Sequence, residues 1–311
     1  MSLVIGGDCG ASTTRIVVAS VDGRIAGHAE GRAGNPVARP VAEAAATLAA
    51  VARRALGDRD PDSVVGATVG IAGASRLRDP AAAAAYRDAW RAAGFGCPLW
   101  MIADAVVAYA AGTSAPSGTV LIAGTGAIAC EVADRTVRRR ADGLGWLLGD
   151  EGSGFWLGVA AARSVARALF AGAPLGPLQR AVRSAVAGDG AAPEAFVSAF
   201  YALPRDRVAG LAALVLATDD PVGDALVGAA AERLAGTLAS LHPAPGPVVL
   251  AGGLLTGATR LRDAVQNRLD ALTGRRGLLA GDPAAAGAWL TLERVGVTDP
   301  AALHAALVGR N

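Results

Sequence analysis

The chain has 311 residues, of which 52% are hydrophobic, 18% charged and 4% aromatic. This composition excludes a disordered protein. The length exceeds that of most domains with a single hydrophobic core, so we expect two domains or a duplicated one. The 29 basic and 27 acidic residues give a net charge of +2. Because no Arg cluster alternates with aromatic residues, we expect no nucleic-acid partner.

All 29 basic residues are Arg, so the chain contains no lysine. A P-loop lysine, a Schiff-base lysine and the strand lysine of protein kinases are therefore excluded. If the protein binds phosphate groups, it must do so with backbone N–H groups, hydroxyls, a metal ion or Arg.

The cysteines Cys9, Cys97 and Cys130 are far apart and odd in number. They form no C-x-x-C pair, so neither a disulfide framework nor a zinc site is indicated. The chain lacks a charged signal-peptide start and any apolar run near the roughly 18 residues that span a bilayer. We therefore predict a cytoplasmic protein without a membrane partner.

The first half of the chain predicts alternating strands and helices. Two β-rich runs, LVIGGDCGAST and TRIVVASV, are separated by Gly and Asx turns, which indicates antiparallel hairpins. The later elements are, in order, a helix at about 37–56, a strand VVGATVGIAG, a helix at 80–93, a strand LWMIAD and a helix AVVAYAAG.

The second half repeats the opening pattern. The run TVLIAGTGAIACEV predicts another Gly-broken hairpin, and LIAGTGA echoes VIGGDCG about half a chain later. We expect two related α/β domains, at 1–113 and 114–311, with a helical insertion at about 155–241 in the second and a last helix able to pack on the first. The run Arg138–Arg140 is interpreted as a solvated turn.

The segment Gly6–Thr14 is the first candidate for chemistry. Asp8 ends an apolar strand, where burial of a carboxylate is costly unless it meets a cation or hydrogen-bond donors. The Gly, Ser and Thr residues that follow could surround phosphate oxygens while Asp8 faces Mg²⁺. The alternative is an ordinary hairpin with Asp in its turn.

Two further candidates lie where predicted strands end. Gly124-Thr125-Gly126 joins two strands as either a phosphate-binding turn or an ordinary hairpin turn. Asp104 follows LWMIA, at the edge where open α/β sheets bind ligands. Its carboxylate is either a base for a substrate hydroxyl or the N-cap of the next helix.

The segment Asp142–Gly158 is the most distinctive. Six Gly among seventeen residues surround adjacent carboxylates and three aromatic residues, which is typical of a ligand-binding loop. Trp146 could stack on a sugar, whereas Phe155 and Trp156 also fit the first buried turn of a helix. Gly252 and Gly253, between a strand and a helix, would let an adenine or ribose lie against the backbone.

In chain order, GGDCGASTTR, IADA, AGTG, GLGWLLGDEGSGFWLG and LAGGLL resemble the sugar-kinase branch of the actin-like ATPase superfamily, specifically the N-acetylglucosamine kinase and BadF/BadG-type group. The resemblance covers nearly the whole chain. It implies an α/β fold of two related actin-like ATPase (ribonuclease H-like) domains with an interdomain cleft and a helical insertion in the second.

The resemblance also implies roles for individual residues. ATP and Mg²⁺ are the implied cofactors, with Asp8 on the metal and Asp104 as catalytic base in contact with the substrate. The implied nucleotide contacts are Gly10, Ser12, Thr13, Thr14, Gly124, Thr125, Gly126, Gly252 and Gly253. The implied sugar contacts are Asn35, Gly145, Asp150 and Glu151.

The expected activity is transfer of the γ-phosphoryl group of Mg-ATP to the 6-hydroxyl of glucosamine or N-acetylglucosamine. Leu144 and Trp146 stand where many acetylhexosamine kinases have Trp and His, and this variant resembles actinobacterial members that include glucosamine kinases. The free amine and the acetamide both stay open, and Glu151 would favour the amine. We expect a homodimer with an amino sugar and ATP as its ligands.

Two other functions are compatible with this resemblance. One is a BadF-type ATPase activator of a dehydratase, which needs cysteines gathered around an iron–sulfur cluster. The other is a non-catalytic amino-sugar sensor. Iron content would test the first, and ADP release would test the second.

Overall fold

The computed structural model describes residues 2–10, 12–242, 246–297 and 299–309. Within these ranges the chain is an α/β protein, as predicted, and it contains two five-stranded sheets. The strand orders are β3-β2-β1-β4-β5 and β10-β9-β6-β7-β8. The strands are β1 Leu3–Cys9, β2 Thr13–Ser20, β3 Ile25–Arg32, β4 Val64–Ile71, β5 Leu99–Ala103, β6 Gly118–Ala123, β7 Ala127–Ala133, β8 Thr136–Asp142, β9 Val248–Ala251 and β10 Leu278–Leu279.

Helices connect and cover these strands, and most begin at a Pro or at a capping carboxylate or hydroxyl. They are α1 Val41–Leu56, α2 Pro80–Ala92, α3 Asp104–Ala110, α4 Gly154–Phe170, α5 Pro177–Ala187, α6 Pro193–Tyr201, α7 Arg205–Gly210, α8 Ala212–Ala217, α9 Pro221–Ala239, α10 Gly253–Thr256, α11 Arg260–Thr273, α12 Pro283–Arg294 and α13 Pro300–Val308. No helix in the described ranges is long and apolar enough to span a bilayer.

The first sheet brings three strand ends to one edge. β1 pairs with β2 and β2 with β3 in antiparallel fashion, which confirms the predicted hairpins. β4 is parallel to both β1 and β5. In this register Cys9 lies opposite Ile71, and Ile71 opposite Ala103. Because parallel strands end at the same edge, Asp8 and Asp104 come to one side of the sheet.

Helix α1 begins at Val41, four residues after the predicted start. The Asn35 side chain explains the difference. Its Oδ1 atom accepts hydrogen bonds from the backbone N–H groups of Val37 and Ala38, at 3.0 and 2.9 Å. These bonds stabilise a turn in place of a first helical turn.

The interpretation of Arg138–Arg140 as a turn is wrong, because these residues lie in β8 at the edge of the second sheet. The chain reverses earlier, at Asp134 and Arg135, whose φ angles are 49° and 57°. Two consecutive residues with positive φ are typical of the tight turns that join hairpin strands.

Contacts divide the chain into two units. Unit 1 contains Met1–Val120, Val132–Arg138 and Leu278–Asn311. In this unit α12 packs directly on β1, where a Cβ on Gly6 would lie 1.9 Å from the Ala288 nitrogen. Thr291 of α12 donates its hydroxyl to the Ile5 carbonyl oxygen at 3.0 Å. The small Gly6 surface thus brings the helix against the strand that carries Asp8.

Unit 2 contains Leu121–Glu131 and Arg139–Gly277. Its core includes Leu157, Val165, Phe196 and Leu234, all at most 1% exposed. Helices α4–α9 occupy the stretch in which we expect a helical insertion. The predicted domain boundary between residues 113 and 114 stays a prediction.

Candidate active site

Asp8 lies beneath the hairpin that joins β1 to β2. A Cβ on Gly10 would be 4.0 Å from the Asp8 Oδ2 atom, so the carboxylate is next to the hairpin backbone. Ser12 and Thr13 are exposed, whereas Thr14 is fully buried beside Gly34. The exposed hydroxyls of Ser12 and Thr13 can therefore reach a ligand, whereas the buried Thr14 hydroxyl cannot.

Asp104 is the first residue of α3 and follows β5 directly. Its Oδ1 atom accepts a hydrogen bond from the Ala105 N–H group at 3.0 Å. A Cβ on Gly70 would be 3.1 Å from the Asp104 Cα atom, and Gly70 pairs in register with Asp8. Gly70 is thus the position on β4 that brings the two carboxylates together.

Burial raises the pKa of both carboxyl groups, and neighbouring carboxylates raise that of Asp8 further. The pKa of Asp8 rises to about 7, mainly through burial, then through the charge of Asp104; Arg15 lowers it and Asp282 raises it further. Burial also raises the pKa of Asp104, and hydrogen bonds from the Ala105 and Asp104 backbone oppose this. A negative cluster with little local compensation favours binding of a cation.

The residues of unit 1 fit a Mg²⁺ ion, although no group of three or more His, Cys, Asp or Glu in the described ranges is arranged to hold a metal alone. Mg²⁺ usually takes one or two carboxylates and completes its shell with phosphate oxygens and water. Asp8 is such a carboxylate, placed below a hairpin with exposed hydroxyls.

In unit 2, Gly124-Thr125-Gly126 forms the turn between β6 and β7. The carbonyl oxygens of Gly124 and Thr125 accept hydrogen bonds from Gly154 and Phe155, at the start of α4, at 2.8 and 3.2 Å. Thr125 is exposed, and a Cβ on Gly124 would meet no described atom within 4 Å. The carbonyl groups of the turn are thus held by α4, and its exposed residues are free to contact a ligand.

Asp150 contacts this turn directly. Its Oδ1 atom accepts a hydrogen bond from the Ala127 N–H group at 3.2 Å, and a Cβ on Gly126 would be 2.9 Å from the same oxygen. Burial raises the pKa of Asp150; the Ala127 bond lowers it and Asp142 raises it. A partly buried carboxylate beside an open Gly turn is suited to orient sugar hydroxyls.

Asp142 connects the two ends of the Gly-rich loop that precedes Asp150. The two oxygens of Asp142 accept hydrogen bonds from the N–H groups of Asp150 and Glu151, at 2.7 and 2.8 Å. A Cβ on Gly149 would lie 2.0 Å from the Asp142 Oδ1 atom, so this position has no space for a side chain. Gly145, with φ of 86°, accepts bonds from Leu148 and Gly149 inside the loop.

Glu151 is paired within the chain. Its Oε2 atom is 2.8 Å from the Nε atom of Arg233, whose guanidinium also lies 4.5 Å from the ring centre of Trp156. Trp156 and Phe155 occupy the first turn of α4, the second of the two alternatives considered above. Arg233 reduces the charge that Glu151 could offer to an amine.

Gly252 follows β9 directly, and Gly253 is the first residue of α10. Gly252 has φ of 85°, and a Cβ there would be 2.3 Å from the Ala123 carbonyl oxygen of β6. Gly253 is exposed, with no described atom within 4 Å of a built Cβ. Gly252 therefore lets β9 lie close to β6, and Gly253 leaves the backbone exposed at the start of α10.

Asn35 is 1% exposed and its Nδ2 atom donates to the Gly10 carbonyl oxygen at 2.7 Å. Sequence reasoning missed this link, and it also missed Asp142, Arg233 and Asp282. Asp282 caps α12 by accepting from Ala284 at 2.8 Å and acts electrostatically on Asp8. In the sequence, Asp282 precedes a Pro at the start of a predicted helix, and this pattern indicates a helix cap but not a contact with Asp8.

A model of the BadF/BadG/BcrA/BcrD ATPase family matches residues 5–289. The chain belongs to this family. Membership in the BadF/BadG/BcrA/BcrD ATPase family confirms the resemblance that the Gly-rich motifs indicate.

An N-acetylmuramic acid/N-acetylglucosamine kinase of Clostridium acetobutylicum is 27% identical over 167 residues, which is 53% of each protein. The chain thus spans about half the length of this curated relative. A structure from Chromobacterium violaceum, provisionally named an N-acetylglucosamine kinase, is 26% identical, with a TM-score of 0.74 over 94% of this chain and 99% of its own.

A ROK family glucokinase of Streptomyces griseus, solved with glucose and AMPPNP, has a TM-score of 0.59 at 18% identity over 92% of this chain and 98% of its own. This similarity concerns the fold alone. Together with the Chromobacterium structure, it confirms the predicted actin-like ATPase fold for this member of the BadF/BadG/BcrA/BcrD ATPase family.

Proposed function

We propose that the protein is an ATP-dependent hexosamine kinase that phosphorylates the 6-hydroxyl of N-acetylglucosamine or a close analogue. The observation that carries this proposal is the placement of Asp104. Its carboxyl group, whose pKa is raised by burial, follows the end of β5 at the ligand edge of the sheet, beside Asp8 and the Gly-Ser-Thr hairpin.

In this proposal the nucleotide is bound without lysine. Backbone N–H groups and hydroxyls of Gly10, Ser12 and Thr13, supported by Thr14, contact one part of the triphosphate. Gly124, Thr125 and Gly126 contact another part, and the exposed backbone at Gly252 and Gly253 accommodates adenosine. Asp8 would hold Mg²⁺, which supplies neutralisation of phosphate charge.

Asp104 accepts the proton of the sugar 6-hydroxyl in the transfer step. The hydroxyl oxygen forms a bond to the γ-phosphorus while the bond from that phosphorus to the β–γ bridging oxygen breaks, and ADP leaves. A carboxylate with a raised pKa is a stronger base than an exposed one. Because phosphoryl transfer depends mainly on positioning and charge, one well-placed base is sufficient.

Asp150, Gly145 and Asn35 are proposed to contact the sugar. We infer a preference for the acetamide over the free amine, because Arg233 already pairs with Glu151 at 2.8 Å. The names of the Clostridium and Chromobacterium proteins support the same preference.

The activator function has less support. Cys9 is fully buried, and burial raises the pKa of its thiol to about 12, so the thiol is neutral and shielded. Cys130 is 2% exposed. The thiols that hold an iron–sulfur cluster must be accessible to it, and neither of these two side chains is exposed.

The test is a coupled assay of ADP release with N-acetylglucosamine, glucosamine, glucose and mannosamine. We expect N-acetylglucosamine to give the highest kcat/KM. Asp104→Asn should retain sugar binding but lose about 10²- to 10⁴-fold in kcat. Near-native turnover of that variant would show that Asp104 is not the base, and sugar binding without ADP release by the wild type would favour the sensor.

A further inference from the structure

The turn formed by residues 34–38 is held by its own Asn35 side chain. The Oδ1 atom accepts from Val37 and Ala38, and the Nδ2 atom donates to Gly10. Both acceptor sites of Oδ1 and one of two donors of Nδ2 are thus used. Asn35 has one amide hydrogen left for a ligand, so most of its bonding capacity fixes the backbone.

Two side chains from other elements hold the same turn. The Tyr86 hydroxyl of α2 donates to the Gly34 carbonyl oxygen at 2.9 Å, and Tyr86 is 1% exposed. Arg76, in a short 3-10 helix after β4, donates from its Nη1 atom to the Pro36 carbonyl oxygen at 3.2 Å. Residues far apart in sequence therefore fix the turn from two sides.

The turn of residues 34–38 also contacts the hairpin that joins β1 to β2. Tyr86 binds the carbonyl of the peptide that joins Gly34 to Asn35, and Asn35 binds the carbonyl of Gly10. Gly34 also lies against the hairpin, since a Cβ on it would be 2.8 Å from the Thr14 Oγ1 atom. A displacement of the turn would therefore displace the hairpin above Asp8.

We propose that Tyr86 is a positioning residue that couples the proposed sugar-side turn to the nucleotide hairpin through Gly34 and Asn35. The kinetic consequence of this inference rests on the proposed function. The coupling itself depends only on contacts within the protein and can be measured without a substrate. Loss of the hydroxyl leaves the buried Gly34 carbonyl without its donor, which favours relaxation of the turn.

Tyr86→Phe is the principal variant, and Tyr109→Phe is its matched control. Tyr109 is also fully buried and also donates its hydroxyl to one backbone carbonyl, that of Ser117, at 2.6 Å. Both variants lose one comparable bond, so their melting temperatures should fall by similar amounts. Arg76→Gln is a second test at an exposed position, where misfolding is not expected.

Hydrogen exchange measures the coupling without any substrate. In Tyr86→Phe, and to a lesser extent in Arg76→Gln, exchange should become faster in peptides that cover residues 8–14 and 34–38. In Tyr109→Phe these peptides should exchange as in the wild type. Equal exchange of these peptides in Tyr86→Phe and Tyr109→Phe would overturn the proposal.

Kinetics measure the consequence. In Tyr86→Phe, KM for the hexosamine should rise about three- to tenfold with kcat within about twofold, as expected for one lost hydrogen bond that supports binding. The control should keep the wild-type KM, and a KM that rises equally in both variants would contradict a positioning role. If the wild type phosphorylates no hexosamine, the proposed function fails while the exchange experiment still decides the coupling.

Discussion

Asp8 and Asp104 have raised pKa values mainly because both carboxylates are buried beside each other at the end of the first sheet. Arg15 opposes this for Asp8, and its guanidinium is also paired with Glu30 at 3.0 Å. The chain thus retains an unfavourable negative cluster. Such clusters are typical of functional sites, where a buried charge is retained although it lowers the stability of the fold.

Asp8→Asn should stabilise the free protein at neutral and alkaline pH. The pKa of Asp8 is about 7 in the folded state and 3.8 for an unperturbed Asp, so between these pH values the folded state binds a proton that the unfolded state has lost. Stability therefore falls as pH rises from about 4 to 7, and the full cost is present above 7. Removal of the charge should raise the melting midpoint at pH 8 by about 2 °C or more and leave it unchanged near pH 4.

The same Asp8→Asn variant should lose Mg-dependent turnover. Asp88→Asn is the control, because the Asp88 carboxylate is exposed and pairs with Arg91 on the protein surface. Calorimetric melts at pH 4 and pH 8 measure the effect on stability. A titration of turnover with Mg²⁺ measures the effect on metal-dependent activity. A lower midpoint for Asp8→Asn at pH 8 would be inconsistent with the electrostatic argument.

At the scale of elements, Gly residues decide how closely strands and helices approach. On β4, Gly70 faces α3, where a Cβ would be 2.2 Å from the Val107 Cγ2 atom and 3.1 Å from the Asp104 Cα atom. On β1, Gly6 allows α12 to pack on the backbone. Both glycines lie in strand runs, where the sequence pattern indicates burial but not which helix covers each residue.

Gly70→Ala should reduce activity more than stability. The added methyl must displace Val107 and the start of α3, which carries Asp104, and overpacking of this kind costs about 1 to 3 kcal/mol. We expect kcat to fall at least about tenfold in a variant that remains folded at 25 °C, because a small displacement of a catalytic group is costly. ADP-release kinetics with a parallel melt measure both effects.

Gly96→Ala is the control for Gly70→Ala, because no described atom lies within 4 Å of a Cβ built at Gly96. This variant should keep wild-type activity and stability. If Gly70→Ala were fully active, the packing of β4 on α3 would not determine the position of Asp104.

At the scale of the whole molecule, each unit carries its own candidate ligand-binding residues. Unit 1 carries Asp8, Asp104 and the hairpin, and unit 2 carries the Gly124–Gly126 turn, Asp150 and the Gly252–Gly253 pair. Without lysine, the charge of a bound phosphate group has to be neutralised by a metal ion, backbone N–H groups, hydroxyls or Arg. If Asp8 holds the metal ion beside the phosphates, as proposed, metal and nucleotide should bind interdependently.

Removal of the metal should weaken nucleotide binding. Mg-ADP at 100 times its Kd should stabilise the protein by about 2.7 kcal/mol, seen as a higher melting midpoint. With excess EDTA, the same ADP concentration should give a much smaller shift. A control with Mg²⁺ alone measures the effect of the ion itself. Equal shifts with and without EDTA would show that nucleotide binding does not depend on the metal.

Local sequence features predicted a large part of the fold. The hairpin of β1 and β2, the strand before Asp104 and the Gly turns follow from short-range patterns of apolar and turn-forming residues. Two of the differences, at the start of α1 and at β8, arose where a side chain or a tight turn changed the local structure. Asn35 binds the backbone ahead of α1, and the Asp134–Arg135 turn extends the hairpin through the Arg run.

The amino-acid sequence by itself determined the order of the elements, the family and the absence of lysine chemistry, because each depends on residue identity and short spacing. Only the tertiary structure decided that Asp8 lies near Asp104 and Asp282, that Asn35 binds Gly10, and that Glu151 is paired with Arg233. These partners are separated by 25 to 274 positions. Their contacts depend on how strands pair and helices pack, which no local spacing specifies.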